Sequence, residues 1–220
     1  MTQKRTHTKG PLRAFCPSDA GRQSLQRMYD ECRAWLTRLA GCEGAPLGEF
    51  QRPVFGAGNP KAGIMLIGEA PGKDETEQGV PFVGKAGKTL SAFLKAVGFS
   101  RDALFITNAV KYRPFRLNSK GGKANRTPSR AELNALRELL LCEIAAVSPK
   151  IVVTLGNSPL YALVGRADIG ACHGMPEQLT SGVTLFPLYH PASLIYNPAL
   201  ATAYEEDMAS LRDYAARHQF

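Results

Sequence analysis

With 220 residues, 44% of them hydrophobic, the chain can bury a full core without disulfide or metal staples, which sets aside disordered and fibrous classes. Lysine and arginine (27) outnumber aspartate and glutamate (19) for a formal charge of +8, so a polyanion such as nucleic acid is the partner the surface favours. The five cysteines form no CxxC pair and no apolar run reaches membrane-spanning length, so the expectation is no metal site, no membrane partner and a reduced, cytoplasmic setting.

Residues 1–17 read as a flexible basic tail, and residues 18–220 as a single domain. Leu25, Met28, Cys32, Trp35, Leu36 and Leu39 recur on one helix face, predicting a helix over 19–39. After a Gly/Pro-rich link, the short apolar run 62–67 predicts a buried strand, and Leu90, Phe93, Leu94 and Val97 mark a helix that Gly98 ends. A strand follows at 104–108. A helix over 129–147 opens on Ser129 with Glu132 three residues later, a capping box. Beyond it come a strand at 151–155, a short helix after Asn157, a strand at 183–188 and a helix over 202–217. This alternation predicts an α/β fold, a three-layer α/β/α sandwich around a mostly parallel four-stranded sheet.

In such sheets ligands gather beyond the carboxyl ends of the strands. Those ends carry Gly68-Glu-Ala-Pro-Gly72, Thr107-Asn108, Leu155-Gly156-Asn157 and Tyr189-His190-Pro191. His190 stands apart from the other histidines because it follows a strand and precedes a proline turn, a place where a ring is held rigidly. The nearby Gly79-Val-Pro-Phe-Val-Gly84-Lys85 resembles a phosphate loop, yet Ala86 stands where a magnesium-binding hydroxyl is needed and Pro81 lacks an N–H, which argues against a nucleotide triphosphatase.

Taken in order, Gly68-Glu-Ala-Pro-Gly72, Gly79-Val-Pro-Phe-Val-Gly-Lys-Ala-Gly87, Thr107-Asn-Ala-Val-Lys-Tyr-Arg-Pro114, Thr154-Leu-Gly156 and His190-Pro191 give the chain its resemblance to the uracil-DNA glycosylase superfamily, and to the family-four enzymes within it. The resemblance runs from about Pro53 to Pro198. It implies a DNA repair enzyme that flips uracil out of single- or double-stranded DNA, cuts its bond to C1′ with water and leaves an abasic site. By the same resemblance His190 donates to the uracil O2, Asn108 reads O4 and N3–H, and Phe82 stacks on the base. Gly68, Ala70, Pro71 and Gly72 form the close turn beside it, and Glu69 orients the water. Asp74 and Glu75 are rivals for that last role, and Glu75 is also a candidate to line the side of the pocket that excludes a thymine methyl.

The segment 191–198 resembles the intercalation loop of the family, with Ser193, Leu194 and Tyr196 as DNA contacts and Leu194 or Tyr196 as the wedge. The long basic stretch up to residue 130 offers Arg113, Arg116, Lys120, Lys123, Arg126 and Arg130 to phosphates. A monomer is expected.

The chain departs from the pattern of the family it resembles in two places. Family-four enzymes carry four cysteines on a [4Fe–4S] cluster, but here Cys42 is followed by Ala45 in the CxxC frame, and Tyr112 and Leu136 stand at the third and fourth positions. No cluster and no other cofactor is therefore expected, with Tyr112 and Leu136 packed into the space. A related branch captures uracil sites covalently through a histidine whose place is taken here by Asn125; an amide is a poor nucleophile, so turnover with water is expected. Two other readings stay open: a protein that holds uracil or abasic sites without efficient turnover, and a glycosylase for another deaminated base such as hypoxanthine.

Overall fold

The computed structural model describes residues 14–16 and 24–218. In chain order its strands are Ala57–Gly58 (β1), Ile64–Gly68 (β2), Phe105–Asn108 (β3), Phe115–Leu117 (β4), Lys123–Asn125 (β5), Ile151–Leu155 (β6), Glu177–Gln178 (β7) and Thr184–Leu188 (β8). Its α-helices are Leu25–Ala40 (α1), Lys73–Gln78 (α2), Lys85–Ala96 (α3), Arg130–Val147 (α4), Asn157–Val164 (α5), Ile169–Cys172 (α6), Pro191–Tyr196 (α7) and Ala201–Arg217 (α8).

Alternation along the central strands builds the layers. Met65 and Ile67 of β2 point into one core with residues of α1, α4 and α5, whereas Ile64 and Leu66 point into a second with residues of α3 and α8. Side chains of a strand leave opposite faces in turn, so a run apolar at every position is buried on both sides. The main sheet has the order β1-β3-β2-β6-β8-β7. Its four middle strands, β3, β2, β6 and β8, are mutually parallel. This is the expected sandwich, with one correction: the sheet is six-stranded, because β1 and β7 add antiparallel edges. Each edge spans only two residues, too short for any periodic signal.

The chain runs from β2 to β3 on one side of the sheet and then to β6 on the other, so the carboxyl end of β2 is the topological switch point, where such sheets open a crevice. The capping box of α4 forms as read: Ser129 Oγ accepts from the Glu132 N–H and the Glu132 carboxylate accepts from the Ser129 N–H.

Two further expectations change. Residues 1–13 and 17 of the tail lie outside the described residues, but Phe15 is buried, donates its N–H to Ala135 O at 2.7 Å and meets Trp35 edge-on. That part of the tail is anchored. The long basic stretch, where no strand or helix is expected, contains the antiparallel hairpin β4-β5. Among the described residues no helix is long and apolar enough to cross a membrane.

Candidate active site at the strand ends

Gly68 ends β2 directly beside Asn108 at the end of β3. A Cβ added to Gly68 would lie 2.4 Å from Asn108 Oδ1 and 2.4 Å from the Phe82 ring, so the missing side chain is what lets an amide and an aromatic meet over the strand end. Both are buried, Asn108 at 3% and Phe82 at 6% exposure.

Phe82 holds a φ of 56°, a left-handed backbone that a bulky residue adopts only when its surroundings impose it. The imposing group is Glu75. Its Oε1 accepts from the N–H groups of Val83 (3.1 Å) and Gly84 (2.8 Å), while its Oε2 accepts from Gly72 N–H at 3.1 Å. Arg101 adds a hydrogen bond to Pro81 O. A Cβ on Gly87 would strike the Phe82 carbonyl, so the start of α3 also fits only around this turn. Glu75 therefore clamps the two loops together. Its carboxylate is thus committed to backbone N–H groups on both loops beside the Phe82 turn. Asp74 is exposed.

His190 stands at the end of β8, its ring centroid 6.0 Å from that of Phe82. Its Nδ1 accepts from the Ala192 N–H at 3.1 Å as the cap of α7. Because Nδ1 is an acceptor, the proton of the neutral ring belongs on Nε2, which leaves an N–H to offer. Burial pushes the pKa down to about 4, so the ring stays uncharged at neutral pH. Gly156, with a φ of +89°, makes room for it: a Cβ there would come within 3.1 Å of His190 Cβ.

Glu69 follows Gly68. Its Oε2 accepts from Ser158 Oγ at 2.6 Å, at the first turn of α5. Burial raises its pKa above the ordinary carboxylate value, and the hydroxyls of Ser158 and Thr127 pull it partly back. Ala70 packs on the first core and Pro71 is buried, so the turn from 68 to 72 is fixed from both sides.

Around this cluster the expected DNA contacts divide. Tyr196 is 87% exposed at the end of α7, and Ile195, which the sequence did not single out, is exposed beside it. Leu194 is half-buried and packs against the second core, so of the two expected wedges Tyr196 is the one that projects. Ser193 is half-buried and donates its N–H to His190 O. Arg116 and Lys120 are exposed on the hairpin. Lys123 is ion-paired with Glu49 at 2.9 Å, and Arg130 lies over the Tyr161 ring. Arg113 and Arg126 are corrections. Arg113 is 6% exposed and donates to Asn125 Oδ1 at 2.7 Å; Arg126 grips Glu132 through two hydrogen bonds of 2.7 and 2.8 Å. Both guanidiniums fasten the hairpin, Arg113 from a buried position and Arg126 with part of its side chain still at the surface.

The uracil DNA glycosylase superfamily model matches residues 55–212, a span that contains every one of the strand-end residues described above. The chain belongs to the uracil DNA glycosylase superfamily. Among curated members it is 38% identical over 202 residues to a type-4 uracil-DNA glycosylase of Sulfurisphaera tokodaii, covering 87% of this chain and 85% of that one. It is 36% identical to the type-4 enzyme of Saccharolobus solfataricus (78% and 81% covered) and 28% identical to a type-5 uracil-DNA glycosylase of Thermus thermophilus (77% and 86%). Among solved structures, SMUG2 of Pedobacter heparinus superposes with a TM-score of 0.52 at 13% identity over 72% of this chain and 77% of that one, a likeness of fold.

The residues at the positions of the family-four cluster do not fit an iron–sulfur group. Cys42 is an exposed thiol, whereas Tyr112 and Leu136 are buried in the first core. The Tyr112 hydroxyl donates to Glu132 at 2.7 Å, and its ring meets Phe50 with centroids 4.4 Å apart. A phenol and a leucine offer no thiolate. The hydroxyl of Ser158 and a buried Lys111–Glu143 pair behind Asn108 escape the sequence; neither lies in a glycine-rich or histidine motif, and only the packing of α5 and α4 behind the strand ends brings them to the site.

Proposed function

We propose that the protein is a monofunctional uracil-DNA glycosylase of the base excision repair type, hydrolysing the N-glycosidic bond of uracil in DNA. The observation that carries this reading is the meeting of Phe82 and Asn108 over Gly68 with an uncharged His190 beside them. A flipped uracil stacks on Phe82 and presents its O4 and N3–H edge to the Asn108 amide, which donates to one and accepts from the other. As the N1–C1′ bond breaks, its electron pair moves onto the base, and the His190 Nε2–H meets the charge gathering on O2. Neutrality suits this role, since a donor that keeps its proton stabilises the anion without first charging the pocket. Glu69 orients a water toward C1′ and offsets the positive charge on the sugar; the water oxygen bonds to C1′, one of its protons is released, and the departing uracil takes one up. The raised pKa of Glu69 suits a carboxylate that works beside water at the rim of a buried site.

The same reading extends to single- and double-stranded DNA, with Tyr196 filling the gap that flipping leaves in a duplex, and to a monomeric cytoplasmic protein. The test is an oligonucleotide with one uracil, incubated with the wild type and cleaved with alkali at the abasic site under multiple-turnover conditions. Strand cleavage well beyond one equivalent of enzyme is expected. An intact strand would remove the reading, and cleavage that stops at a fraction of one equivalent would point to a site-holding protein; hypoxanthine in place of uracil is expected to survive.

A further inference from the structure

Behind the site, the ammonium of Lys111, in the bend that follows β3, is completely buried and points back toward the end of that strand. It donates to Asn108 O at 2.6 Å, to Thr107 Oγ1 at 2.8 Å and to Glu143 Oε2 at 2.6 Å. Glu143, on α4, is equally buried and also accepts from the Thr107 hydroxyl at 3.2 Å. All three N–H bonds of the ammonium thus have an acceptor, and one of those acceptors is the backbone of the residue that carries the base-reading amide.

A buried ion pair is a poor source of stability, because removing both charges from water costs about as much as their attraction returns, and apolar replacements of similar volume are often neutral or better. A pair of this kind is better suited to fixing an orientation. Here the surrounding geometry turns that general statement into a specific one. The N–H groups of Ala109 and Val110 donate to Gly68 O (2.8 Å) and Glu69 O (3.1 Å), tying the turn after Asn108 to the end of β2. Lys111 ties the same turn from the opposite side to α4. Any shift of Asn108 away from Phe82 would strand a buried N–H of the ammonium, and the low dielectric around it makes that displacement steep.

We propose that the Lys111–Glu143 pair is a positioning device for uracil discrimination and excision, locking Asn108 against Gly68 so that its amide is held in register with the base edge. This rests on the base-reading role proposed for Asn108. Lys111 and Glu143 touch no substrate; they act through Asn108.

That route gives the test, a double-mutant cycle read by single-turnover excision. The pair is removed as Lys111→Met with Glu143→Leu, which leaves no uncompensated buried charge, in the wild-type background and in Asn108→Ala. In the wild-type background excision is expected to slow by roughly 10- to 100-fold, the scale of a small misplacement of a reacting group. In the Asn108→Ala background the same change is expected to cost less than about twofold, because non-additivity marks residues that act as one unit. Binding to DNA with a tetrahydrofuran abasic analogue should be retained. Equal fold-losses in the two backgrounds, or a folded pair variant as fast as wild type, would overturn the inference. Should the pair variant not fold, Thr107→Val, which keeps both charges and removes one acceptor, runs through the same cycle with the same two outcomes. A wild type that excises no uracil, or an Asn108→Ala protein as active as wild type, would instead bring down the proposed function itself.

Discussion

Asn108 and Phe82 are 3% and 6% exposed, whereas Tyr196, on the segment that would face the duplex, is 87% exposed. The side proposed to read the base is built into the core: its aromatic stands on a left-handed turn clamped by Glu75, its amide on a strand end braced by Lys111, its imidazole on a helix cap. The side proposed to grip DNA is a surface, carried by the short α7 and by a hairpin anchored through Arg113 and Arg126. The difference follows from the tasks. Recognition of one base and stabilisation of one charge need donors fixed in advance, while a grip on a repeating backbone tolerates movement.

The contrast can be broken or sharpened by substitution. The largest effect belongs to His190→Ala, expected to slow single-turnover excision by about 100- to 1000-fold, the usual cost of one donor to a developing anion, with binding to abasic DNA retained. A loss of only a few fold would mean that the charge on the base is met elsewhere. Next comes Glu75→Ala. It leaves the Val83, Gly84 and Gly72 N–H groups without their carboxylate, so urea denaturation should show a stability loss on the order of 1–3 kcal/mol together with slower excision. Full stability would refute the clamp.

Ser158→Ala acts on the pH profile. In the proposed mechanism Glu69 must be ionised to orient water, so the rate should rise as pH climbs through its elevated pKa. Since the Ser158 hydroxyl pulls that pKa down, its removal should move the acid limb to higher pH. An unmoved limb would assign the ionisation to another group. Tyr196→Ala should affect duplex substrate several times more than single strand, about the cost of an unfilled step in the stack. The smallest effect is electrostatic: Arg116→Ala and Lys120→Ala should each flatten the salt dependence of DNA binding by about one unit of slope with little change in stability. Arg113→Ala should do the reverse, destabilising the hairpin, because its guanidinium holds Asn125 and faces Glu49.

The same division explains what could be read from the chain alone. The four central strands and the long helices were legible because apolar residues recur along them at strand or helix spacing, and α4 even announced its cap through Ser129 and Glu132. Gly68, Phe82, Asn108 and His190 were legible because glycines, a proline turn and strand ends mark places where backbone approaches a ligand. What escaped was pairing between distant segments. The partners of Arg113 and Arg126 depend on the hairpin, so their charges looked available until the fold committed them to Asn125 and Glu132. Glu75 reads in the sequence as a candidate site acid, but the N–H groups its carboxylate gathers lie eight and nine residues onward. Lys111 stands three residues after Asn108 with nothing in the sequence to name its partner; only the packing of α4 behind the strand end supplies Glu143 and removes it from water.

The central claim is that one uracil is shared by Phe82, Asn108 and His190. A crystal structure with free uracil bound tests it most directly. The predicted result has the ring lying on the Phe82 face, the Asn108 amide on its O4 and N3 edge, and O2 at about 2.7–3.2 Å from His190 Nε2. Uracil bound away from these side chains, or bound among them with His190 meeting no base oxygen, would contradict the account.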